Sequence, residues 1–489
     1  MVDHPTPDAP TTNPPDREVL TSTVAEVWND SAVPAIEAHI AVPALSPAFA
    51  PGWAAAGHID TVLVAASDWL ESLGVPGLTV SRRDLPGRTP LLLVDVPATD
   101  GATNGGTVLA YGHLDKQPEM VGWDDDLGPW TPVRKGDRLY GRGGADDGYS
   151  VYALGTALVA LDRAGGEHGR IVGVIECSEE SGSPDLPAHL EALGDELSSP
   201  ELVVCLDSGC GDYERLWVTT SLRGLVSVDL RVDVLTEGVH SGAAGGIVPS
   251  SFRIARTLLD RIEAASDGRL LIDELFPEIP KARREQAAQS AGTLGRPPAF
   301  PWADDTHPAT DDVADQLLAR TWGPALEVIG ADGLPQLADA GNVARPSTTL
   351  GLSIRIPPGV DPEAITARLT ELLTNDPPAG ATVTVSPGWG ATGWDAPPTA
   401  PWLADALQRA STTWFGEESR WIGEGGTIPF MAMLGEQFPD AQFVVTGVLG
   451  PGSNAHGPNE FLDVAFAERL TGCVADVLHA HATRAGTAV

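Results

Sequence analysis

The chain has 489 residues, 42% hydrophobic and 20% charged, an ordinary globular balance at a length too great for one core, so two or more domains are expected. Its 30 lysines and arginines face 67 aspartates and glutamates, and the formal net charge of -37 argues against nucleic-acid binding, which needs a basic face. No apolar run reaches membrane-span length, and the opening MVDHPTPDAPTTNPPD lacks the basic end and apolar centre of a secretory signal, so no membrane association and a cytoplasmic location are expected.

Residues 1–16 read as a disordered tail, and 17–90 carry helical patterning that includes TVLVAASDWLESLGV. From there strand and helix signals alternate. TPLLLVDVPA and TVLAYGHLD are Val- and Leu-rich strands, and RLYGRGGADD is a short strand with a glycine-rich turn. YSVYALGTALVALDRA is a helix with small and apolar residues all round, as in a buried helix. RIVGVIECSEE and ELVVCLDSG are apolar strands that end abruptly in carboxylates. This order predicts an α/β domain with a mixed sheet and helices on both faces. Cys177, Cys205, Cys210 and Cys473 fit no zinc knuckle or disulfide framework and are expected as buried thiols.

Near residue 221 the pattern changes. SLRGLVSVDLRVDV alternates apolar and polar residues, as a half-exposed strand does. The helix SSFRIARTLLDRIEAA follows, then a long polar, Pro-rich stretch to about residue 320. ALEVIGA, STTLGLSIRIPP and ATVTVSPGW are strands, with the helix PEAITARLTELLTND before the last. The order β-α-β-β-α-β predicts a ferredoxin-like α+β domain inserted at 221–388, between 17–220 and 389–489. The α/β pattern resumes with a helix at PWLADALQRASTTWF and a strand at QFVVTGVL.

Polar residues cluster just past the strands: His113 and Asp115 after TVLAYG, Glu179 and Glu180 after RIVGVIECS, Asp207 after ELVVCL, and His456 in the loop after QFVVTGVL. In an open α/β sheet, ligands bind at the carboxyl ends of the strands. Asp146 and Asp147 lie between a Gly-rich turn and a helix start, where anions suit the helix dipole. So many carboxylates at one edge repel one another unless cations are present. Imidazole and carboxylate together suit Zn²⁺ or a similar borderline ion, and one bridging carboxylate would hold two ions about 3.5–4 Å apart. The adjacent Glu179 and Glu180 would divide the work of general base and ligand.

The chain carries YGHLDKQP (111–118), LYGRGGADDG (139–148), EESGS (179–183), Asp207, VHSG (239–242), SIRIPP (353–358), EGGTIP (424–429) and AHGPNE (455–460). In this order and spacing it resembles the M20 family of metallopeptidases, and within it the carnosinase-like dipeptidases, over nearly everything after the N-terminal tail. The resemblance implies a catalytic domain in two parts, 17–220 and 389–489, with the insert at 221–388 as lid and dimerisation domain. It implies two divalent metal ions per subunit, Zn²⁺ with Mn²⁺ or Co²⁺ as alternatives. His113 and Asp207 would bind one ion, Glu180 and His456 the other, and Asp146 both. Asp115 would orient His113, and the Asp146–Asp147 peptide would be cis. Glu179 would activate a metal-bridging water and then protonate the leaving amine.

His240 would reach the active site of the other subunit of a homodimer and help to stabilise the oxyanion. Arg355 and Asn342 match lid positions that contact substrate, and Arg355 would suit its carboxylate. Glu424, Gly425, Gly426 and Thr427 look like the substrate-binding loop. Gly148 and Tyr149 depart from the family's DDKG run, without removing a metal ligand, and the stretch 266–320 is unlike the dipeptidases. Family members that act on free amino termini tend to have Asp at the position of Asp207, whereas carboxypeptidases and N-acyl deacylases tend to have Glu. The expected activity is therefore hydrolysis of dipeptides or short peptides with a free amino terminus. An N-acyl-amino-acid deacylase or carboxypeptidase is the alternative, and a catalytically inactive binding homologue, which would typically lose Glu179 or a ligand, is a third reading.

Overall fold

The computed structural model describes residues 14–296 and 300–484, so most of the expected N-terminal tail lies outside the described residues. The chain divides into two units. The first takes the residues up to Thr219, Ala396–Ile422 and everything from Leu434 onward; the second takes Thr220–Asp395 and Gly423–Met433.

The first unit is built on a mixed sheet. Its strands lie in the order Thr79–Arg83, Leu91–Val96, Arg170–Glu176, Thr107–His113, Pro200–Cys205 and Gln442–Val445, and Val445 then pairs with Thr219. Four neighbours run parallel: Arg170–Glu176, Thr107–His113, Pro200–Cys205 and Gln442–Val445. All seven residues of Thr107–His113 are buried, which explains why these strands read as continuous apolar runs rather than alternating ones. The helix Ser150–Arg163 packs on this strand and is buried along nearly its whole length. It also packs against the 20-residue helix Val464–Thr483, which the sequence reading did not single out. The helix Arg17–Val27 starts at Asp16, whose carboxylate caps the N–H groups of Glu18 and Val19.

One element in 17–90 departs from the helical expectation. Thr79–Arg83 is an edge strand, antiparallel to Leu91–Val96, with no buried residue, so it carries no hydrophobic period to read. All four cysteines are buried and none forms a disulfide. No helix among the described residues is long and apolar enough to cross a membrane.

The second unit has the expected ferredoxin-like arrangement. Its strands lie in the order Ala325–Asp332, Ser347–Ile356, Gly224–Asp233, Thr382–Ala391, all antiparallel. Val226, Val228, Leu230 and Val232 alternate with more exposed residues, and Leu350, Leu352, Ile354 and Ile356 do the same on the neighbouring strand. These inward residues pack against Ile254 and Leu258 of the helix Ser251–Leu259 and Ile365, Leu369 and Leu373 of Pro362–Thr374. Each such side chain contributes about 1.5–3 kcal/mol of hydrophobic stabilisation. The polar stretch before residue 320 is more structured than expected. It holds the helices Lys281–Leu294 and Val313–Thr321. Only Ser290 is buried in the first of these, so no apolar stripe announced it.

Candidate metal centre

Because the four parallel strands point the same way, their carboxyl ends meet at one sheet edge. His113 is the last residue of Thr107–His113. Glu179 and Glu180 form a short helical turn just past Arg170–Glu176, and Asp207 lies two residues past Pro200–Cys205. His456 sits in the loop after Gln442–Val445 with φ of 64°. Asp146 arrives from the turn before Ser150–Arg163, and the Asp146–Asp147 peptide is cis.

These residues converge into two triads that share one carboxylate. His113, Asp146 and Asp207 make one, and Asp146, Glu180 and His456 the other; within each, the ligand atoms lie within 4.8 Å of one another. Asp146 Oδ1 is 3.5 Å from His113 Nε2, and its Oδ2 is 3.0 Å from His456 Nε2. Asp207 Oδ2 lies 3.8 Å from His113 Nε2, and Glu180 Oε2 lies 3.3 Å from His456 Nε2.

The electrostatics show a cluster that demands positive charge. Burial opposes protonation of His113, yet Asp115 and Asp146 hold its imidazole well above the ordinary range. His456 is likewise pushed up to about 11 against burial, by Asp146 and Glu180. Burial drives the Asp207 carboxyl up to about 7, partly offset by His113. Glu179 is raised well above the usual carboxylate range by burial and by the Asp207 charge. Asp146 alone is held far below its usual range, against burial, by the two histidines. Buried His113 Nε2 has no hydrogen-bond partner among the described residues. An orphaned imidazole nitrogen facing two carboxylates, in a donor set of imidazole and carboxylate, fits Zn²⁺ or a similar divalent ion.

Asp115 differs from the expectation in detail. His113 Nδ1 lies 3.1 Å from the Asp115 carbonyl oxygen, its acceptor when Nδ1 carries the proton, and 3.5 Å from Oδ1. The backbone, more than the side chain, therefore orients the imidazole. The Asp115 carboxylate instead accepts the backbone N–H groups of Glu179 and Glu180, each at 3.1 Å.

Several supporting residues had no assigned role in the sequence reading. Gln117 Nε2 donates to Glu180 Oε2 at 2.7 Å. Arg142 forms a buried ion pair with Glu460 through Nη1 and donates from Nη2 to the Gly457 carbonyl at 2.7 Å. Glu460 Oε1 accepts the Gly143 N–H at 2.9 Å. The loops that carry Asp146 and His456 are thereby stapled together. Glu176, buried, accepts hydroxyl donors from Tyr111, Ser178 and Ser183, which ties down both ends of the turn bearing Glu179 and Glu180. Arg142, Gln117 and Glu460 all lie inside the quoted motifs, which was the one signal that pointed to them.

The remaining expected residues lie in the second unit. His240 is exposed in a two-stranded ribbon where it pairs with Val343, next to Asn342, whose carbonyl accepts the Ser241 N–H. Arg355 Nη1 donates to Thr427 Oγ1 at 3.0 Å, so the structure brings Arg355 to the Glu424–Thr427 loop. Glu424 pairs with Arg320 at 3.1 Å, and the Gly425 carbonyl accepts from Arg223 Nε at 3.2 Å. His240 and Asn342 make none of these contacts.

Comparison with known proteins accords with this geometry. The profile of peptidase family M20/M25/M40 matches residues 109–480. The cysteinylglycine-S-conjugate dipeptidase of Corynebacterium striatum is 29% identical over 434 residues, 86% of this chain and 90% of that protein. The human β-Ala-His dipeptidase is 26% identical over 395 residues, 77% of this chain and 76% of that protein. Among solved structures, the dipeptidase Dug1p of Saccharomyces cerevisiae superposes with a TM-score of 0.76 at 20% identity, covering 95% of this chain and 98% of that one.

Proposed function

Since the chain belongs to peptidase family M20/M25/M40, we propose that it hydrolyses the amide bond of dipeptides or short peptides with a free amino terminus. The observation that carries this reading is the single Asp146 carboxylate facing both His113 and His456. His113 and Asp207 would hold one ion, Glu180 and His456 the other, and Asp146 would serve both. Such ions supply carbonyl polarisation and a lowered pKa for water. Glu179 accepts a proton on its carboxylate from the attacking water and returns it to the leaving amine. Its place beside Glu180, on a turn whose N–H groups are held by the Asp115 carboxylate, supports that role.

Zn²⁺ as the physiological ion and a cytoplasmic location belong to the same proposal. So does a homodimer in which His240 completes the partner's site, with Arg355, Asn342, Glu424, Gly425, Gly426 and Thr427 as substrate contacts. The dimer reading is supported by the end strand Ala325–Asp332, where Ile329 is 69% exposed beside exposed Val328. An apolar sheet edge is a liability in an isolated chain. The names of the Corynebacterium and human relatives favour dipeptides over longer substrates. The test compares a free dipeptide with its N-acetylated form on the Zn²⁺-loaded protein. Turnover of the free form is expected, and preference for the blocked form would overturn the reading in favour of a deacylase.

A further inference from the structure

Three guanidinium groups converge on one four-residue loop of the second unit. Arg320 Nη2 meets the Glu424 carboxylate at 3.1 Å. Arg223 Nε donates to the Gly425 carbonyl at 3.2 Å, and Arg355 Nη1 donates to Thr427 Oγ1 at 3.0 Å. Thr427 Oγ1 in turn donates to the Arg223 carbonyl at 2.6 Å, which closes the cluster. Among the described residues, Glu424 is the one carboxylate paired with this group, and neither Arg223 nor Arg355 has an acidic partner.

Two unneutralised guanidinium groups are unusual company in a chain whose formal net charge is -37. Arg223 is buried and Arg355 half-buried. Burial and then the Arg355 and Arg320 charges lower the Arg223 pKa to about 10, so the like charges bear on one another. Buried charge of one sign without its counter-charge is costly unless a ligand supplies it. The loop also has room for one. A Cβ at Gly426 would meet nothing within 4 Å, whereas at Gly425 it would press on Arg223 Nη2 at 3.0 Å. Gly425 therefore permits the close approach of the arginine, and Gly426 leaves the adjoining space open.

We propose that Arg223, Arg320 and Arg355 form a dianion-recognition site that selects substrates whose C-terminal residue carries a second, side-chain carboxylate. The inference rests on the reading that this loop contacts the peptide, and goes beyond assigning Arg355 to the terminal carboxylate. Charge balance carries it: three guanidiniums against one carboxylate leave room for two negative charges, and an ordinary dipeptide supplies one at this end. A planar guanidinium also pairs each carboxylate through parallel hydrogen bonds, which an amide isostere cannot match.

The test uses the full-length Zn²⁺-loaded Glu179→Gln protein, titrated calorimetrically with Ala-Glu and with its uncharged isostere Ala-Gln. Tighter binding of Ala-Glu, by about ten-fold or more, is expected, and in an added Arg320→Gln background the ratio should fall toward one. Equal affinities, or a ratio untouched by Arg320→Gln, would overturn the proposal. Should Glu179→Gln fold poorly, the ratio of kcat/KM for the two peptides on wild-type protein reads the same preference. Turnover of neutral dipeptides by the wild type tests the peptidase reading separately, so each can fail without the other.

Discussion

The carboxylate of Asp115 accepts the backbone N–H of Glu179 at 3.1 Å and, through its other oxygen, that of Glu180 at the same distance. One buried side chain thus sets the turn that carries both the proposed base and a proposed ligand. Asp115→Ala leaves two N–H groups without their charged acceptor. Loss of a hydrogen bond to a charged group costs about 1.5–3 kcal/mol, which corresponds to a kcat lowered by about ten- to a hundred-fold. Steady-state kinetics with parallel metal analysis checks this, and a variant with unchanged kcat at full metal content would refute the positioning role.

Glu179 is assigned to proton transfer and not to metal binding. Glu179→Gln keeps the shape of the side chain and removes its basicity. Metal content should stay at the wild-type value while kcat drops by about 10² to 10⁴. Loss of metal from this variant would instead make Glu179 a ligand.

The two triads share Asp146 and nothing else. Asp146→Ala should therefore depress occupancy of both positions, whereas Asp207→Ala and Glu180→Ala should each mainly depress one. Metal-to-protein ratios after dialysis, by atomic emission, distinguish these outcomes. Equal losses in all three variants would contradict two positions joined by one carboxylate.

Proton linkage gives a pH prediction. In the metal-free protein the His456 pKa is raised to about 11 by Asp146 and Glu180, working against burial. Its folded-state pKa thus exceeds the unfolded value of about 6.5. The stability contributed by the protonated imidazole is fully present below that value and is lost as pH rises toward 11. Metal must displace this proton, so binding at pH 8 should release protons and apparent affinity should climb with pH. Calorimetry in buffers of different ionisation enthalpy measures the release. A heat independent of buffer would count against the linkage.

Glu460 and Arg142 form a buried ion pair that joins the Gly143 turn to the Gly457 carbonyl, one residue past His456. Removing one partner of such a pair costs about 3–5 kcal/mol, because the other charge is left buried and unpaired. Glu460→Ala should therefore lower the denaturant midpoint markedly and also weaken metal retention. A variant as stable as the wild type would show that the pair is dispensable.

His113, Glu179, Glu180 and Asp207 were legible because parallel strands buried on both faces are unbroken apolar runs, and an acid or imidazole that ends such a run stands out. The alternation in SLRGLVSVDLRVDV likewise declared a half-exposed strand, and the order β-α-β-β-α-β pointed to the ferredoxin-like arrangement. Asp146 and His456 lie in irregular loops, where no period exists to read; they stood out as polar residues beside the strand ends, but their roles as bridge and ligand rested more on the motif resemblance. The helix Lys281–Leu294 escaped notice for the same reason, since it presents no apolar stripe.

The sequence by itself therefore determined the α/β framework, the inserted domain and the kinds of side chain at the sheet edge, because these follow from local periodicity and composition. Tertiary structure alone decided which oxygen of Asp146 faces which histidine, that the Asp115 carboxylate serves the Glu179–Glu180 turn more than His113, and that Arg223, Arg320 and Arg355 gather on one loop. Those relationships join residues from about 30 to 310 positions apart in the chain, and no short-range pattern encodes a distance that only the packed fold brings into being.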